Sequence, residues 1–166
     1  MPKEELEKLL ALYVPLNENE EAMWHDVTAF LKSCKVPFGK LCETGHITAS
    51  AWIVDHREQS VLLTHHAKLN EWFQLGGHTE IGETIYEAAM REATEESGIK
   101  HLQYLNRNIF DIDVHVIPEI LGTPEHIHYD IRFLFIADSH EPLIVSSESH
   151  DVKWIPIKEI NNYIRS

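Results

Sequence analysis

The segment of residues 77–99 constrains this chain more than any other part of it. Three carboxylates, Glu92, Glu95 and Glu96, fall within it at spacings of one, three and four residues. Residues three and four positions apart are neighbours on a helix surface, where like charges repel each other. Clustered carboxylates are also the ligands that a hard cation such as Mg²⁺ prefers. The segment therefore predicts a helix that presents a cation-binding face.

The residues around these carboxylates predict where the helix begins and ends. Thr84 and Glu87 fit the capping-box pattern, so we expect the helix to start near Ile85. Gly98 stands where a helix commonly needs a left-handed residue to end. Apolar residues at helical spacing predict the buried face, namely Ile85, Ala89, Met90 and Ala93.

The same segment resembles the Nudix box, G-x5-E-x7-R-E-U-x-E-E-x-G-U, in which U is aliphatic. The matching residues are Gly77, Glu83, Arg91, Glu92, Glu95, Glu96, Gly98 and Ile99. Residues 45–52 and 126–133 resemble two strands of a group of bacterial Nudix proteins that also carry a helical N-terminal extension. Two positions depart from the family pattern: Leu75 replaces a usual proline, and Ala93 replaces a larger aliphatic residue.

The resemblance implies a fold and a metal cofactor. The fold is α/β, the Nudix α/β/α sandwich with a mixed β-sheet, here with a helical N-terminal extension. The cofactor is Mg²⁺ or Mn²⁺, with the carboxylates of Glu92, Glu95 and Glu96 and the carbonyl of Gly77 as metal ligands.

The resemblance also implies roles for residues around the metal. Glu95 and Glu96 are expected to be catalytic, and a further catalytic carboxylate is expected in a loop before the final strand. We assign that carboxylate to Glu148. Arg91 is expected to pair with a box carboxylate and orient it, and Glu83 to have a structural or outer-shell role. The alternatives for the loop carboxylate are Glu141 and Asp151.

Composition restricts the partners of the chain. Its 166 residues can build one core. A formal net charge of −13 disfavours a nucleic-acid partner, because that binding relies on Lys and Arg. We expect no membrane span, since no apolar run approaches the roughly 20 residues that one requires. Without a signal-peptide pattern, and with only Cys34 and Cys42, the expected location is the cytoplasm.

Hydrophobic periodicity predicts how the chain is organised. We interpret residues 1–36 as two short helices that form an N-terminal extension packed on the core, and residues 37–166 as the Nudix domain. A mixed sheet with helices on its faces is the expected class. The predicted strands are residues 46–55, 60–65, 109–117, 126–132 with an apolar continuation over 133–137, and 152–155, and a closing helix is predicted at 157–164.

Two predicted strands carry alternating polar residues whose role is open. They could form a transition-metal site, because imidazole and carboxylate are both good ligands. We favour a hydrogen-bonded polar wall of the substrate cleft, because the glutamates already supply metal binding. The residues concerned are Asp111, Asp113, His115, His126, His128 and Asp130.

Three residues are candidates for substrate binding. His128 lies on the second polar strand. Arg132 on the same strand could bind a phosphate as a two-pronged donor, or could pair with an aspartate across the sheet. Trp72 could stack on a base, although a tryptophan before a turn commonly belongs to the core.

The function that the resemblance implies is metal-dependent hydrolysis of the pyrophosphate bond in a nucleoside diphosphate linked to another moiety. The expected partner is a small nucleotide derivative, and the substrate class stays open among ADP-ribose-like compounds, nucleotide sugars, nucleoside triphosphates and dinucleoside polyphosphates. Two alternatives stay open: a catalytically idle Nudix-fold ligand-binding protein, and an RNA 5′-end pyrophosphohydrolase. Whether the chain forms a homodimer is also open.

Overall fold

The computed structural model describes residues 1–120 and 122–164. Their contacts divide the chain into two compact units. The first contains residues 1–49, 77–88 and 108–132, and the second contains residues 50–76, 89–107 and 133–166. The helices are α1 (Pro2–Leu12), α2 (Glu18–Ser33) and α3 (Ile85–Ser97), followed by a 3-10 helix at Ile157–Asn162. The strands are β1 (Gly45–Asp55), β2 (Ser60–His66), β3 (Glu71–Phe73), β4 (Leu75–His78), β5 (Gln103–Tyr104), β6 (Asp111–Ile117), β7 (His126–Ala137) and β8 (Ser149–Pro156).

The two N-terminal helices pack within the first unit. Helix α2 begins after Asn17, whose side chain accepts a hydrogen bond from the Glu20 N–H at 3.0 Å. The indole N–H of Trp24 donates to the Leu10 carbonyl of α1 at 2.9 Å. The apolar faces of the helices bury Leu6, Leu10, Val27, Phe30 and Leu31. Residues 1–36 thus share a unit with residues 77–88 and 108–132, while the boundary at residue 36 stays a prediction.

The strands of the first unit combine parallel and antiparallel neighbours. Strand β6 pairs antiparallel with β7, from Asp111 opposite Arg132 to Ile117 opposite His126. Along β1 and β7 the contacts advance in the same direction. The Ile127 N–H donates to the Thr44 carbonyl, and further along both segments the Thr48 hydroxyl donates to Asp130. Contacts that advance together indicate parallel strands, so the predicted mixed sheet is confirmed.

In the second unit, strand β2 is the centre of the pairing. It pairs antiparallel with β1, β3 and β8. Its residues Val61 and Leu63 pack with Ile155 of β8 in a buried cluster. Strand β5 pairs with the later part of β7, where Tyr104 lies opposite Phe135.

Helix α3 follows the predicted boundaries. The Thr84 N–H donates to the Glu87 carboxylate at 2.8 Å, and the Glu87 N–H donates back to the Thr84 hydroxyl at 3.2 Å, which completes a capping box. Gly98 ends the helix with φ of +73°, as predicted. A Cβ at Gly98 would also lie 2.6 Å from Cβ of Ile144. The buried face differs by one residue from the prediction, because Ala88 is buried and Met90 is only half-buried.

Other differences lie in short or irregular elements. The closing helix predicted at 157–164 is a 3-10 helix, Ile157–Asn162. The strand predicted at 152–155 is longer, whereas residues 126–132 and their predicted continuation through 137 form one strand, as expected. Strands β4 and β5 were not predicted, because four and two residues show no periodicity. Among the described residues, no helix combines the length and the apolarity needed to cross a membrane.

Candidate metal and active site

The three box glutamates lie on α3, and burial distinguishes them. The Glu95 side chain is 59% exposed, that of Glu92 is 17% exposed, and Glu96 is buried at 6%. The Glu96 carboxylate accepts a hydrogen bond from the Gly76 N–H at 2.8 Å. Gly76 has φ of +152°, a conformation that L side chains rarely adopt, so glycine is required at this approach. Strand β4 is thereby hydrogen-bonded to the helix that carries the box glutamates.

Electrostatics show that these carboxylates crowd one another. The pKa of Glu96 is raised to about 7, chiefly by burial and also by the charges of Glu92, Glu148 and Glu95, against the lowering effect of the Gly76 hydrogen bond. Burial also raises the pKa of Glu92, and Glu95 and Glu148 contribute in the same direction. A divalent cation relieves such repulsion because it becomes the largest local charge. The oxygen donors of Glu92, Glu95 and Glu96 therefore fit a hard cation.

Arg91 pairs with two of these glutamates. Its Nη1 lies 2.9 Å from Glu92 Oε1 and 3.4 Å from Glu95 Oε2. A fixed cation beside a ligating carboxylate holds its orientation. Glu83, the earlier acidic residue of the box, accepts a hydrogen bond from the Glu80 N–H at 2.9 Å. That contact stabilises the turn before α3, in keeping with the structural role expected of Glu83.

Glu148 lies directly before β8, in the second unit with the three glutamates. Its carbonyl accepts a hydrogen bond from the Ala67 N–H at 2.9 Å, while its side chain is exposed. The negative charge of Glu148 contributes to raising the pKa of both Glu92 and Glu96. Its catalytic role stays a prediction.

The two alternatives to Glu148 have local partners. Glu141 accepts a hydrogen bond from the Lys100 N–H, and its other oxygen lies 3.3 Å from Nδ1 of His101. Asp151 accepts from the N–H of its neighbour Val152 at 2.9 Å. Both acids thus have hydrogen-bond partners, and their catalytic roles stay predictions.

The ring of Trp72 already has several partners. It stacks on His65 with centroids 4.9 Å apart and an interplanar angle of 10°. Nζ of Lys153 lies 4.8 Å from its centroid, and Tyr163 meets it edge-on. These contacts match the core interpretation of this tryptophan, and base stacking by Trp72 stays a prediction.

In the first unit, the acidic residues of the polar strands converge on Arg132. Each of its three guanidinium nitrogens donates a hydrogen bond to a different carboxylate. Nε donates to Asp130 at 2.9 Å, Nη1 to Asp111 at 2.9 Å and Nη2 to Asp113 at 3.0 Å. Burial alone would lower the pKa of Arg132, but these aspartates raise it above its usual value. The pairing across the sheet is thus present, and substrate contact by Arg132 stays a prediction.

The histidines of the polar strands form a different group. His128 joins His46 of β1 and His78 of β4, and their ligand-capable nitrogens all lie within 4.8 Å of one another. Burial lowers the pKa of His46 to about 4, of His78 to about 3 and of His128 to about 2, so all three rings are neutral near pH 7. The three aspartates thus surround Arg132, His128 joins the histidine group, and His115 lies between them, 2.8 Å from Asp113 and with its ring 5.4 Å from that of His128. Sequence analysis missed His46 and His78, which lie far from His128 in the chain.

Comparison with known proteins adds the family. The model of the NUDIX domain matches residues 44–165. Uncharacterized Nudix hydrolase YvcI of Bacillus subtilis (strain 168) is 29% identical over 107 residues, which cover 63% of this chain and 63% of that protein. The m7GpppN-mRNA hydrolase NUDT17 of Xenopus laevis is 32% identical over 93 residues, 52% of this chain and 31% of that protein. The chain therefore matches less than two thirds of the length of each of these relatives.

A solved structure agrees with these matches. The crystal structure of a hydrolase of the NUDIX family from Clostridium perfringens covers 72% of this chain with a TM-score of 0.54. The two sequences are 27% identical, and the match covers 86% of that chain. The predicted α/β Nudix fold is thereby confirmed. Since the family model matches well over half of its residues, this chain belongs to the Nudix family.

Proposed function

We propose that this chain is a metal-dependent hydrolase that cleaves the pyrophosphate bond of a nucleoside diphosphate linked to another moiety. One observation carries the proposal: Glu92, Glu95 and Glu96 lie together on α3, oriented by Arg91 and by the N–H of Gly76. Intact ligands and their supporting contacts argue against an idle ligand-binding protein. A site built for binding alone would not require this crowding of negative charge.

The donor set fits Mg²⁺ or Mn²⁺. Glu92, Glu95 and Glu96 would hold the ion, together with the Gly77 carbonyl that the family resemblance implies. A bound divalent ion neutralises the negative charge of the diphosphate and makes water a stronger nucleophile. Such a cation also explains how a chain of net charge −13 can accept an anionic substrate.

Several residues of the chain have roles of their own in this proposal. Arg91 holds Glu92 and Glu95 in place, and Gly76 holds one oxygen of Glu96 through its N–H. Glu148 accepts a proton from the attacking water at its carboxylate, because its exposed side chain belongs to the unit of the glutamates and its charge reaches them.

The proposed partner is a small nucleotide derivative. The acidic balance of the chain disfavours long nucleic acids, whose binding depends on basic residues. We further propose the cytoplasm as the compartment, since Cys34 and Cys42 are free thiols, as expected in a reducing environment.

A panel of substrates tests the proposal. Nucleotide sugars, ADP-ribose, dinucleoside polyphosphates and nucleoside triphosphates are incubated with the chain and Mg²⁺ or Mn²⁺, and products are identified by mass. We expect cleavage between two phosphorus atoms in at least one class, with loss of turnover in EDTA. No metal-dependent cleavage of any compound in the panel would contradict the proposal.

A capped RNA oligonucleotide belongs in the same panel. The relative NUDT17 is named as a hydrolase of m7GpppN-mRNA, and the cap is itself a nucleoside phosphate linked to another moiety. If the capped oligonucleotide is cleaved faster than every small nucleotide, the second function, RNA 5′-end processing, replaces the first.

A further inference from the structure

Three histidines of the first unit converge although they are far apart in sequence. His46 lies on β1, His78 ends β4 and His128 lies on β7. The ring centroids are 4.9 Å apart for His46 and His78, 4.8 Å for His46 and His128, and 5.0 Å for His78 and His128. The three imidazoles therefore form a nearly equilateral triangle, and each is carried by a different strand.

A buried nitrogen of His46 is an independent indication that this cluster binds a ligand. His46 is only 4% exposed, and its Nε2 has no hydrogen-bond partner among the described residues. A buried polar atom left without a partner costs about 1–3 kcal/mol. A metal ion that takes the lone pair of this nitrogen would remove that cost.

We propose that His46, His78 and His128 bind a divalent transition-metal ion of the zinc class. Imidazole nitrogen suits Zn²⁺ and related ions, whereas Mg²⁺ prefers oxygen ligands. Three histidines leave the fourth tetrahedral position for water or for an oxygen of a ligand. This site is distinct in residues and in chemistry from the glutamates of α3, so it goes beyond the proposed hydrolase function.

Binding of one zinc ion requires only a small movement of the three histidine side chains. Two nitrogens bound to one tetrahedral zinc ion are roughly 3.3 Å apart, given Zn–N bonds of about 2.0 Å. The nitrogens of the triangle lie within 4.8 Å of one another, so rotation of the side chains can close the gap. Because three strands hold the Cα atoms, the arrangement is preorganised for one ion.

His126 extends the imidazole cluster. Its Nδ1 lies 2.8 Å from the Pro124 carbonyl and therefore donates, which leaves the lone pair on Nε2. That Nε2 lies 3.2 Å from Nε2 of His128, close to the separation of two ligands on one ion. His126 thus lies beside the triangle, where its nitrogen competes with water for the fourth position.

Zinc titration of the full chain tests the site. The protein is stripped with a chelator, supplied with excess Mg²⁺ to occupy the glutamates, and titrated with ZnCl₂ by calorimetry. We expect one Zn²⁺ per chain. His46→Ala, His78→Ala and His128→Ala should each weaken zinc binding about 100-fold or more. His140→Ala is the matched control, because that exposed histidine belongs to the second unit and should leave binding unchanged.

Two further measurements keep the test decisive if an alanine variant unfolds. Circular dichroism identifies unfolded variants, and Asn then replaces Ala at that position. In the wild-type chain, Co²⁺ should give the intense visible absorption of a tetrahedral site and not the weak bands of octahedral oxygen ligands. Glu95→Gln and Glu96→Gln should retain one Zn²⁺. The proposal is overturned if the wild type binds no Zn²⁺ stoichiometrically, if binding survives all three histidine changes, or if the glutamate changes abolish it.

Discussion

The N–H of Gly76 donates a hydrogen bond to the carboxylate of Glu96 at 2.8 Å, across 20 residues of sequence. The contact joins strand β4 to the last turn of α3. It also fixes the one box glutamate that is buried. The hydrogen bond from the backbone N–H stabilises the ionised form of Glu96 and so lowers its pKa. Burial has the larger, opposite effect, and the pKa of Glu96 is raised to about 7. Glu96 is therefore a carboxylate whose ionisation opposes folding until a cation binds.

In the metal-free protein, the ionisation of Glu96 should lower stability as pH rises. The pKa of Glu96 is raised from 4.5 to about 7 in the folded state, so the folded state binds the proton more tightly than the unfolded state does. Its ionisation therefore costs stability between about pH 4.5 and 7, by at most about 3 kcal/mol. Urea unfolding in EDTA at several pH values measures this, because the stability of the wild type relative to Glu96→Gln should fall between about pH 4.5 and 7. Glu95→Gln, at an exposed site, is the control; equal pH dependence in wild type and Glu96→Gln would contradict the assignment.

Millimolar Mg²⁺ or Mn²⁺ should stabilise the fold. The segment of residues 80–96 contains six glutamates and one arginine, and a bound cation relieves their repulsion. At a free metal concentration 100 times the Kd, metal binding stabilises the folded state by about 2.7 kcal/mol. This corresponds to a rise in Tm of roughly 5–10 °C for a chain of this size. Thermal melts with and without metal measure the shift, and it should shrink in Glu96→Gln. A Tm that Mg²⁺ and Mn²⁺ leave unchanged while sub-stoichiometric Zn²⁺ raises it would assign the stabilising site to the histidines.

Glu148→Gln should lower kcat by about 10²- to 10⁴-fold with little change in KM, if Glu148 is the general base. Steady-state kinetics on the substrate found in the panel measure this. Glu141→Gln and Asp151→Asn are matched controls, because both acids are engaged in local hydrogen bonds. Full activity in Glu148→Gln, with loss in either control, would move the role to that residue.

Arg132→Ala should destabilise the protein by about 3–5 kcal/mol, because it leaves the aspartates around it without their cation. Asp130 is the most affected, since it is only 3% exposed. Arg132→Lys should recover part of the loss, as an ammonium cannot reproduce the contacts to three carboxylates. Denaturant unfolding measures both variants. If Arg132→Ala is as stable as the wild type but raises KM, substrate contact is the better account of this residue.

The sequence predicted the long, periodic elements and the box helix, because capping residues and apolar spacing act locally. Thr84, Glu87 and Gly98 act as predicted. The buried face was wrong at Met90, which lies five residues after Ile85, whereas Ala88 lies three residues after it and shares its face of the helix. Strands β4 and β5 are too short to show a period.

Convergence across strands was not predictable from local pattern. His46 and His78 lie 82 and 50 residues before His128, so only the pairing of strands brings the three together. The sequence grouped the six polar residues of β6 and β7 together. Alternation of polar and apolar residues shows which face of a strand a side chain lies on, but not which residues it contacts. Arg132 pairs with the three aspartates, and His128 contacts His46 of β1 and His78 of β4.

Turnover of Glu95→Gln and Glu96→Gln with Mg²⁺ tests the central claim most directly. Both changes keep the size of the side chain and remove the charge that would hold the metal. Glu87→Gln is the matched control on the same helix, since glutamine can also complete the capping box. The account predicts that Glu95→Gln and Glu96→Gln lose kcat by orders of magnitude while their circular dichroism stays that of the wild type, and that Glu87→Gln stays active. Turnover at the wild-type rate in both Glu95→Gln and Glu96→Gln would contradict it.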